Sequence, residues 1–401
     1  MDRLANTVRP YAWGSTTAIP ELLGTTPTGE PQAELWMGAH PGAPSRVDRG
    51  AGPRPLCDTI ADAPEAELGP ETVRRFGPQL PFLLKLLAAA SPLSLQVHPD
   101  LDRAKAGYAE EEARGIPADA PHRTYRDANH KPELLCALTP FEGLCGFRDP
   151  AGTAALLAAL DVDSLKPYAD LLHARPEADA LREVLTAVLT AEHTAIADTV
   201  HAASAACERL AAQDGPHRTA YAAYASIARH YPGDPGVIAA MLLNHVRLNP
   251  GEALYLGAGV PHAYLDGLGV EIMANSDNVL RCGLTPKHID VPELLRVVRF
   301  ESTEPAVLRP EADAGGEEVY ATPVDEFRLS RHVFAPASET PATLPPGTPQ
   351  ILLCTSGTAT LRTADGTELR LDRGESAFVR ADERAELTGD DATVFRATVA
   401  V

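Results

Sequence analysis

Three short segments of the chain carry side chains of the kind that bind metal ions or move protons. In LSLQVHP, a strand places alternate side chains on opposite faces, so Ser94, Gln96 and His98 share the polar face. In NHKPE, Glu133 follows a proline that stiffens the loop and can aim the carboxylate. In GVPHAY, His262 follows a tight Gly/Pro turn. Taken singly, these segments also fit a solvated strand, a surface turn and a structural histidine.

Taken together, the three segments can supply one amide, two imidazoles and one carboxylate to a single divalent cation. Imidazole and carboxylate suit zinc, and a neutral amide is a weak ligand that keeps the ion strongly Lewis acidic. A water can fill a fifth, exchangeable position. The four side chains are Gln96, His98, Glu133 and His262.

The composition describes a globular chain with a strong excess of negative charge. Of 401 residues, 44% are hydrophobic and 22% charged, with 55 acidic against 35 basic residues and a net charge of −20. This charge repels phosphate backbones and anionic lipid, so neither nucleic acid nor a membrane is expected as a partner. An anionic substrate would need a few local Lys or Arg residues to reverse the field.

The cysteines and the apolar stretches indicate a cytoplasmic protein. Six scattered cysteines without a CxxC pair fit reduced core thiols better than a zinc ribbon or a secreted disulfide framework. The N-terminus has no apolar targeting region. The most apolar run, PFLLKLLAAASPLSLQV, is interrupted by Lys85 and is shorter than the roughly 20 residues of a membrane span.

The composition and the spacing of apolar residues change along the chain. Residues 1–150 are rich in Gly and Pro with short alternating runs, which predicts strands and loops rather than helices. Residues 151–246 are rich in Ala and Leu at helical spacing, and the prolines within them predict several helices of ordinary length. One helical stripe comprises Leu181, Val184, Leu185, Val188 and Leu189. Strand texture returns from residue 247 to 310 and again near the C-terminus.

A short internal overlay indicates a duplicated β unit. The segment GESAFVRADERAEL aligns with GEALYLGAGVPHAYL, which sets Gly374 opposite Gly251 and Ala385 opposite His262. The backbone pattern therefore recurs without the histidine, as expected if one copy kept the chemistry and the other lost it.

The longer motifs resemble those of the type I phosphomannose isomerase family, whose members are zinc-dependent sugar-phosphate isomerases. They occur in the family's order from the N-terminus to about Phe300, and they read YAWGS, AELWMGAHPGAPS, PFLLKLL, LSLQVHP, NHKPE, GVPHAYLDGLGVEIMANSDNVLR and GLTPKHID. The C-terminal block departs more, and no functional residue is carried over from it.

The resemblance implies a mainly β fold with a helical insert, built from two cupin-like (jelly-roll) β-barrels. Residues 1–150 and 247–310 would form the catalytic barrel, 151–246 the helical insert, and 311–401 a degenerate second barrel. It also implies one zinc ion per chain, held by the four side chains above, and the interconversion of mannose 6-phosphate and fructose 6-phosphate through an enediol.

Such an isomerase needs a base near C1 and C2 and an electrophile for the enediolate oxygens. Arg281 is the first candidate to stabilise negative charge, and it can pair with Glu271, which the strand GVEIMAN places on the face opposite Val270 and Ile272. The proton carrier stays open among Lys131, His130, Glu271 and Lys85.

The substrate phosphate and sugar also need partners. Candidates for the phosphate are Ser94, Lys85, Lys131 and Arg281, with Lys287 further out. Lys85 lies inside an apolar run, and burying its amine without an anion would cost several kcal/mol, so a carboxylate or a phosphate is expected beside it. Candidates to line the sugar site are Trp13, Tyr264 and Asp277, although an aromatic in a barrel is more often part of the core.

Two other functions fit part of this pattern. A cupin dioxygenase would hold iron with His98, His262 and Glu133, but it has no use for the extra Gln96 and the surrounding basic residues. A non-catalytic sugar-phosphate-binding cupin would bind substrate without turnover. The expected partner is a phosphorylated hexose, and the expected assembly is a monomer or a weak oligomer.

Overall fold

The fold combines two large antiparallel β-sheets with α-helices. A computed structural model describes residues 1–337 and 340–401. In chain order, the strands of this described part are β1 (Asp2–Arg3), β2 (Thr7–Arg9), β3 (Glu34–Gly38), β4 (Arg46–Val47), β5 (Arg54–Pro55), β6 (Phe82–Ala89), β7 (Leu95–Val97), β8 (Glu133–Ala137), β9 (Phe141–Phe147), β10 (Leu243–Leu248), β11 (Ala253–Leu256), β12 (His262–Ala274), β13 (Leu280–Gly283), β14 (Val307–Leu308), β15 (Glu311–Ala312), β16 (Glu318–Tyr320), β17 (Arg328–Val333), β18 (Ala342–Leu344), β19 (Gln350–Thr363), β20 (Glu368–Asp372), β21 (Ser376–Val379) and β22 (Ala385–Thr398).

The helices of the same residues are mostly short. They are α1 (Ala18–Leu23), α2 (Leu56–Asp62), α3 (Pro64–Leu68), α4 (Pro70–Phe76), α5 (Leu101–Ala113), α6 (Pro150–Ala159), α7 (Lys166–Ala174), α8 (Glu177–Leu189), α9 (His193–Ala211), α10 (Arg218–His230), α11 (Gly236–Met241) and α12 (Val291–Val297).

The larger sheet has eleven strands and is organised around β12. Its main path runs β14-β11-β8-β12-β6-β3-β2, and β7, β9, β10 and β13 join it as branches. The second half of β12 lies between β6 and β8, and its first residues pair with β7 and β9. One long strand therefore carries His262 at its start and Glu271 near its end, and brings four neighbouring strands to the same place.

The smaller sheet has nine strands and contains most of the C-terminal block. Its path is β1-β21-β19-β22-β17-β16-β15, so the first strand of the chain completes the C-terminal sheet. Within the described residues, neither large sheet closes on itself in this pairing. The architecture is thus mixed β and α with antiparallel sheets, as expected at that level, while the strand pairing alone does not establish two closed barrels.

The prediction of strands and loops without helices for residues 1–150 is wrong, because α1 to α5 lie there. Four of these helices are only five to seven residues long. Helices α3 and α4 each begin at a proline, Pro64 and Pro70, and each is followed by a glycine, Gly69 and Gly77. Proline is favoured in the first turn of a helix, and glycine is favoured at the residue that follows its last turn. The prolines and glycines of this region therefore mark helix ends as well as loops.

Helices α6 to α11 span Pro150–Met241, where the sequence predicts helices, and β10 begins at Leu243 before residue 246 is reached. In α8, the predicted stripe is buried at Leu181, Val184, Leu185 and Val188, with Leu189 half-buried against the same core. These helices pack on the face of the larger sheet that includes Leu95, Val97 and Leu280. The strands that carry Gln96 and Arg281 are therefore backed by the helical region.

A second core joins the two sheets. Leu84, Leu86 and Ile272 of the larger sheet pack in the same cluster as Ile351 and Phe378 of the smaller one. Strand β6 is buried along its whole length, so its one charged residue, Lys85, has to find its counter-charge inside the protein.

The internal overlay has a structural counterpart. Gly251 and Gly374 both have a φ of 87°, in the left-handed region that glycine adopts without strain. The short strands β11 and β21 follow these glycines, and the long strands β12 and β22 then begin at His262 and Ala385. The same order of turn, short strand and long strand thus occurs once in each sheet.

Across the described residues, no helix combines the length and the apolar character needed to cross a lipid bilayer.

Candidate active site

The centre of the site is a buried cluster of two imidazoles and one carboxylate. His98, Glu133 and His262 each direct one ligand atom to a common point, and these three atoms lie within 4.8 Å of one another. Glu133 Oε2 is 3.5 Å from His98 Nε2 and 3.4 Å from His262 Nε2. Two ligands bonded to zinc at ordinary lengths and at a tetrahedral angle would be about 3.3 Å apart. The observed spacing therefore fits that ion.

Backbone carbonyls fix the tautomers of the two histidines. His98 Nδ1 donates to the Asn278 carbonyl over 2.8 Å, and His262 Nδ1 donates to the Val260 carbonyl over 2.9 Å. Because a carbonyl oxygen only accepts, the proton of each neutral ring resides on Nδ1, which leaves the Nε2 lone pair free. Both Nε2 atoms and Glu133 Oε2 are buried and have no hydrogen-bond partner in the part of the chain that the structure describes.

The protonation states agree with this arrangement. Burial lowers the pKa of His98 to about 4, so its ring is neutral at pH 7. Burial raises the pKa of Glu133, but the positive charge of Lys131 acts in the opposite direction, and the pKa of Glu133 lies well below its usual range. The three buried atoms thus converge without a hydrogen-bond donor among the described residues. A divalent cation would provide a partner for all three atoms, whereas without one they are buried at a cost in free energy.

Strand register places the remaining predicted ligand beside this cluster. Gln96 on β7 lies opposite His262 on β12 and opposite Arg281 on β13. Directly opposed residues of antiparallel strands point to the same face. The row His262, Gln96 and Arg281 therefore lies across three adjacent strands, with Gln96 half-buried between the other two.

A charged network lies next to the cluster along β12 and β6. Lys85 Nζ donates to Glu271 Oε2 over 2.9 Å and is 3.8 Å from Glu34 Oε1. Tyr264 Oη donates to the other oxygen of Glu271 over 2.9 Å, and the Lys85 amine lies 5.5 Å from the centre of the Trp36 ring. The anion expected beside Lys85 is thus a pair of carboxylates.

Burial opposes the charge of Lys85, yet Glu271, Glu34 and Glu133 raise the pKa of its amine above the ordinary range. Burial raises the pKa of Glu271, and Lys85 only partly offsets this. Burial and Glu271 raise the pKa of the Tyr264 hydroxyl. Lys85 is accordingly a proton donor in this state, and Glu271 is the group whose proton affinity is increased.

The hypothesis that Glu271 pairs with Arg281 is wrong. Register sets Glu271 opposite Lys85, whereas Arg281 is on β13, beyond β7. Among the described residues, Arg281 has no ion pair with any carboxylate. The two residues share a region of the site but not a contact.

His130 and Lys131, which are adjacent in NHKPE, contact different parts of the protein. Lys131 Nζ lies 3.2 Å from Glu133 Oε1, at the edge of the cluster of His98, Glu133 and His262. His130 Nε2 instead lies 2.6 Å from Glu326 Oε1, in the loop that precedes β17 of the C-terminal sheet. The structure therefore brings Lys131 to the cluster and places His130 against the C-terminal block.

A second set of cations is left without carboxylates. Burial and Arg126 lower the pKa of Arg281, while Arg281, burial and Arg126 lower the pKa of Lys287. The positive charge of Arg126 contributes to both shifts, and that of Arg281 contributes to the shift of Lys287. Within residues 1–337 and 340–401, the side chains of this trio form no ion pair. Ser94, half-buried one residue before β7, makes no side-chain hydrogen bond to those same residues.

The predicted sugar-lining residues are dispersed around this centre. Asp277 is half exposed, 3.6 Å from His40 Nε2, and both line a cavity of about 450 Å³ that also includes Arg126. Trp13 stacks on Tyr11 and packs against the cluster that contains Tyr264.

Several residues of the site were missed by sequence reasoning. Asn278 accepts the His98 proton with its carbonyl, and its side-chain oxygen accepts the backbone N–H of Arg126. Its amide nitrogen donates to the carbonyls of Asp127 and Asn129. Asn278 and Glu34 both lie inside the long motifs, which was the available signal. The contacts that bring them to the site, with His98 and Lys85 respectively, join distant parts of the sequence.

Comparison with known proteins gives a consistent result. The family model for the catalytic domain of type I phosphomannose isomerase matches residues 1–150. Mannose-6-phosphate isomerase from Escherichia coli K12 is 43% identical over 388 residues, which cover 96% of this chain and 95% of that protein. A mutant of phosphomannose isomerase from Salmonella typhimurium superimposes with a TM-score of 0.91 at 40% identity, over 100% of both chains.

A solved structure of mannose 6-phosphate isomerase bound with zinc and yttrium is similar at a TM-score of 0.89 and 40% identity, again over 100% of both chains. The sequence identity extends over nearly the whole chain, and so does the similarity to solved structures. The chain therefore belongs to the type I phosphomannose isomerase family.

Proposed function

We propose that this chain interconverts mannose 6-phosphate and fructose 6-phosphate at the buried cluster on β7, β8 and β12. The observation that carries the proposal is the convergence of His98 Nε2, His262 Nε2 and Glu133 Oε2, all buried and without a hydrogen-bond donor. One zinc ion per chain satisfies these atoms, with Gln96 as the fourth ligand. When bound, zinc supplies a Lewis acid for the oxygens at C1 and C2 of the sugar.

The family assignment does not favour a cupin dioxygenase or a non-catalytic sugar-phosphate binder. The unpaired cations around the site also fit a phosphorylated substrate and have no role in oxygen chemistry on a neutral one.

We assign proton transfer between C2 and C1 to the network on β6 and β12. Glu271 is the acceptor, because it is a buried carboxylate with a raised pKa, which moves its proton affinity toward that of a working base. Lys85 carries its proton and can donate a hydrogen bond to the enediolate oxygen. Tyr264 orients Glu271 through its hydroxyl. Lys131 remains a second candidate through its contact with Glu133, and His130 is disfavoured by its contact with Glu326.

The substrate phosphate is assigned to the outer cations. Arg281, Lys287 and the Ser94 hydroxyl carry no competing carboxylate in the described part of the chain, whereas Lys85 and Lys131 are both engaged by carboxylates. A phosphate placed there relieves the repulsion between Arg281 and Lys287. Asp277, Trp13 and Tyr264 then line the space for the sugar between this subsite and the metal.

We further propose that the chain is a duplicated cupin-like fold with a helical insert. Residues 1–150 and 247–310 would form the catalytic barrel, 151–246 the insert and 311–401 the degenerate barrel. The repeat of Gly251, β11 and β12 as Gly374, β21 and β22 supports this division. All six cysteines are free thiols, which supports a reducing, cytoplasmic location.

The first test measures substrate and metal together. Mannose 6-phosphate is supplied to the purified protein, and fructose 6-phosphate is detected by a coupled assay. We expect turnover that disappears after dialysis against a chelator and returns on addition of zinc. Activity that is indifferent to the chelator while the protein is free of metal by elemental analysis would contradict the proposal.

The metal ligands are tested by His262→Ala. We expect loss of bound zinc and of activity with the fold retained, because one of three converging donors is removed. His245→Ala is the matched control, since His245 is a buried histidine on β10 that contacts Glu142 instead. Elemental analysis and circular dichroism provide the readouts. One zinc per chain with full activity in His262→Ala would remove His262 from the site.

The proton acceptor is tested by Glu271→Gln, which keeps the shape of the side chain. We expect kcat to fall by at least about 10²-fold, the usual contribution of a general base, with zinc content unchanged. Glu142→Gln serves as the control, because Glu142 is paired with His245 and Arg247 on the neighbouring strands. A kcat within about twofold of wild type would exclude Glu271 as the base.

The stabilisation of negative charge is tested by Arg281→Ala. We expect kcat/KM for mannose 6-phosphate to fall by about 10² to 10³, as when one pre-positioned donor is removed from an active site, while zinc content stays near one per chain. Arg384→Ala removes an exposed arginine of the C-terminal block and controls for the change in net charge. Equal kinetics for the two variants would end the role of Arg281.

A further inference from the structure

One turn of the helical region bonds to the backbone beside the candidate phosphate subsite. This turn, residues 231–235, connects α10 to α11. The Asp234 carboxylate accepts three backbone N–H groups: Oδ1 accepts from Gly236 over 2.7 Å and from Leu284 over 3.1 Å, and Oδ2 accepts from Thr285 over 3.1 Å. Two of these groups belong to the segment between Arg281 and Lys287.

The same turn contacts the other segment of the subsite. The Tyr231 hydroxyl donates to the carbonyl of Pro92 over 2.8 Å. Pro92 lies two residues before Ser94, and Thr285 lies two residues before Lys287. The turn therefore bonds to the backbone next to both Ser94 and Lys287.

The backbone that donates hydrogen bonds to Asp234, at residues 284 and 285, has an unusual conformation. Leu284 has a φ of 56°, in the left-handed region that side chains other than glycine rarely adopt. Gly283 has a φ of 133°, and a Cβ added there would lie 2.4 Å from the Gly236 Cα, so the two segments are in direct backbone contact. Conformations of this kind persist when the surrounding structure holds them, as they do at ligand sites.

We propose that Asp234 is a positioning residue for the substrate phosphate. It holds the 283–285 backbone in the conformation that directs Lys287 toward Arg281, and Tyr231 fixes the approach of the Ser94 segment. The helical region thus acts as the support of the phosphate subsite. This role rests on the phosphate subsite proposed above.

The test compares Asp234→Ala and Asp234→Asn with wild type in the full-length zinc enzyme. Inorganic phosphate is the probe of the subsite, measured as a competitive inhibitor, alongside KM and kcat for mannose 6-phosphate. We expect Asp234→Ala to raise both the inhibition constant of phosphate and KM about tenfold, the loss expected for the hydrogen bonds removed. We expect kcat to change less than KM, zinc to stay at one per chain, and Asp234→Asn to be intermediate, because its amide oxygen keeps one acceptor.

Two matched controls separate positioning from general stability. Asp149→Ala removes a carboxylate that caps α6 by accepting from Gly152, so it costs stability in the same region without touching the subsite. Tyr231→Phe is paired with Tyr221→Phe, whose hydroxyl donates to the Leu156 carbonyl inside the helical region. We expect Tyr231→Phe to weaken phosphate inhibition and Tyr221→Phe to leave it unchanged.

The outcomes distinguish this role from the function it depends on. If Asp234→Ala keeps the wild-type inhibition constant and KM, or shifts them no more than Asp149→Ala does, the positioning role is overturned and the isomerase function stands. If the wild-type protein neither isomerises mannose 6-phosphate nor is inhibited by phosphate, both are overturned.

Discussion

The structure depends on three buried atoms, His98 Nε2, His262 Nε2 and Glu133 Oε2, that converge without a hydrogen-bond donor among the described residues. An unprotonated carboxylate between two imidazole nitrogens is costly unless a cation is present, because none of the three atoms can donate a hydrogen bond. The carbonyls of Asn278 and Val260 enforce this arrangement, since they bind the only proton of each ring on the far side. The tautomers, and with them the affinity for a metal, are therefore set by backbone that is not itself a ligand.

Charge is divided between an inner and an outer set of cations. Lys85 contacts Glu271 and Lys131 contacts Glu133, so both amines lie beside buried carboxylates. Arg281, Lys287 and Arg126 instead form no ion pair with a carboxylate of residues 1–337 and 340–401. The phosphate subsite proposed above rests on this difference between the two sets.

The parts of the chain outside the larger sheet support the site at different edges. The helical region backs β7 and β13 and bonds to the loops beside them. The C-terminal sheet shares a core with β6 and β12, and its Glu326 holds His130 on the side of NHKPE away from Lys131. Two adjacent residues of one segment, His130 and Lys131, thus have different partners.

The sequence by itself determined which atoms could bind the metal, because residue type, strand alternation and turn chemistry are local properties. It also predicted an anion beside Lys85 and helices in the Ala- and Leu-rich region. The alignment of Gly251 with Gly374 predicted the same turn before a short strand in both β units. Sequence reasoning failed for the short helices of residues 1–150, whose proline and glycine ends resemble loops. Only the tertiary structure decided the partners. Lys85 meets Glu271 across 186 positions, as the register of β6 and β12 dictates, and His98 meets Asn278 across 180. Register is set by the packing of whole sheets, so it paired Glu271 with Lys85 and left Arg281 without a carboxylate among the described residues.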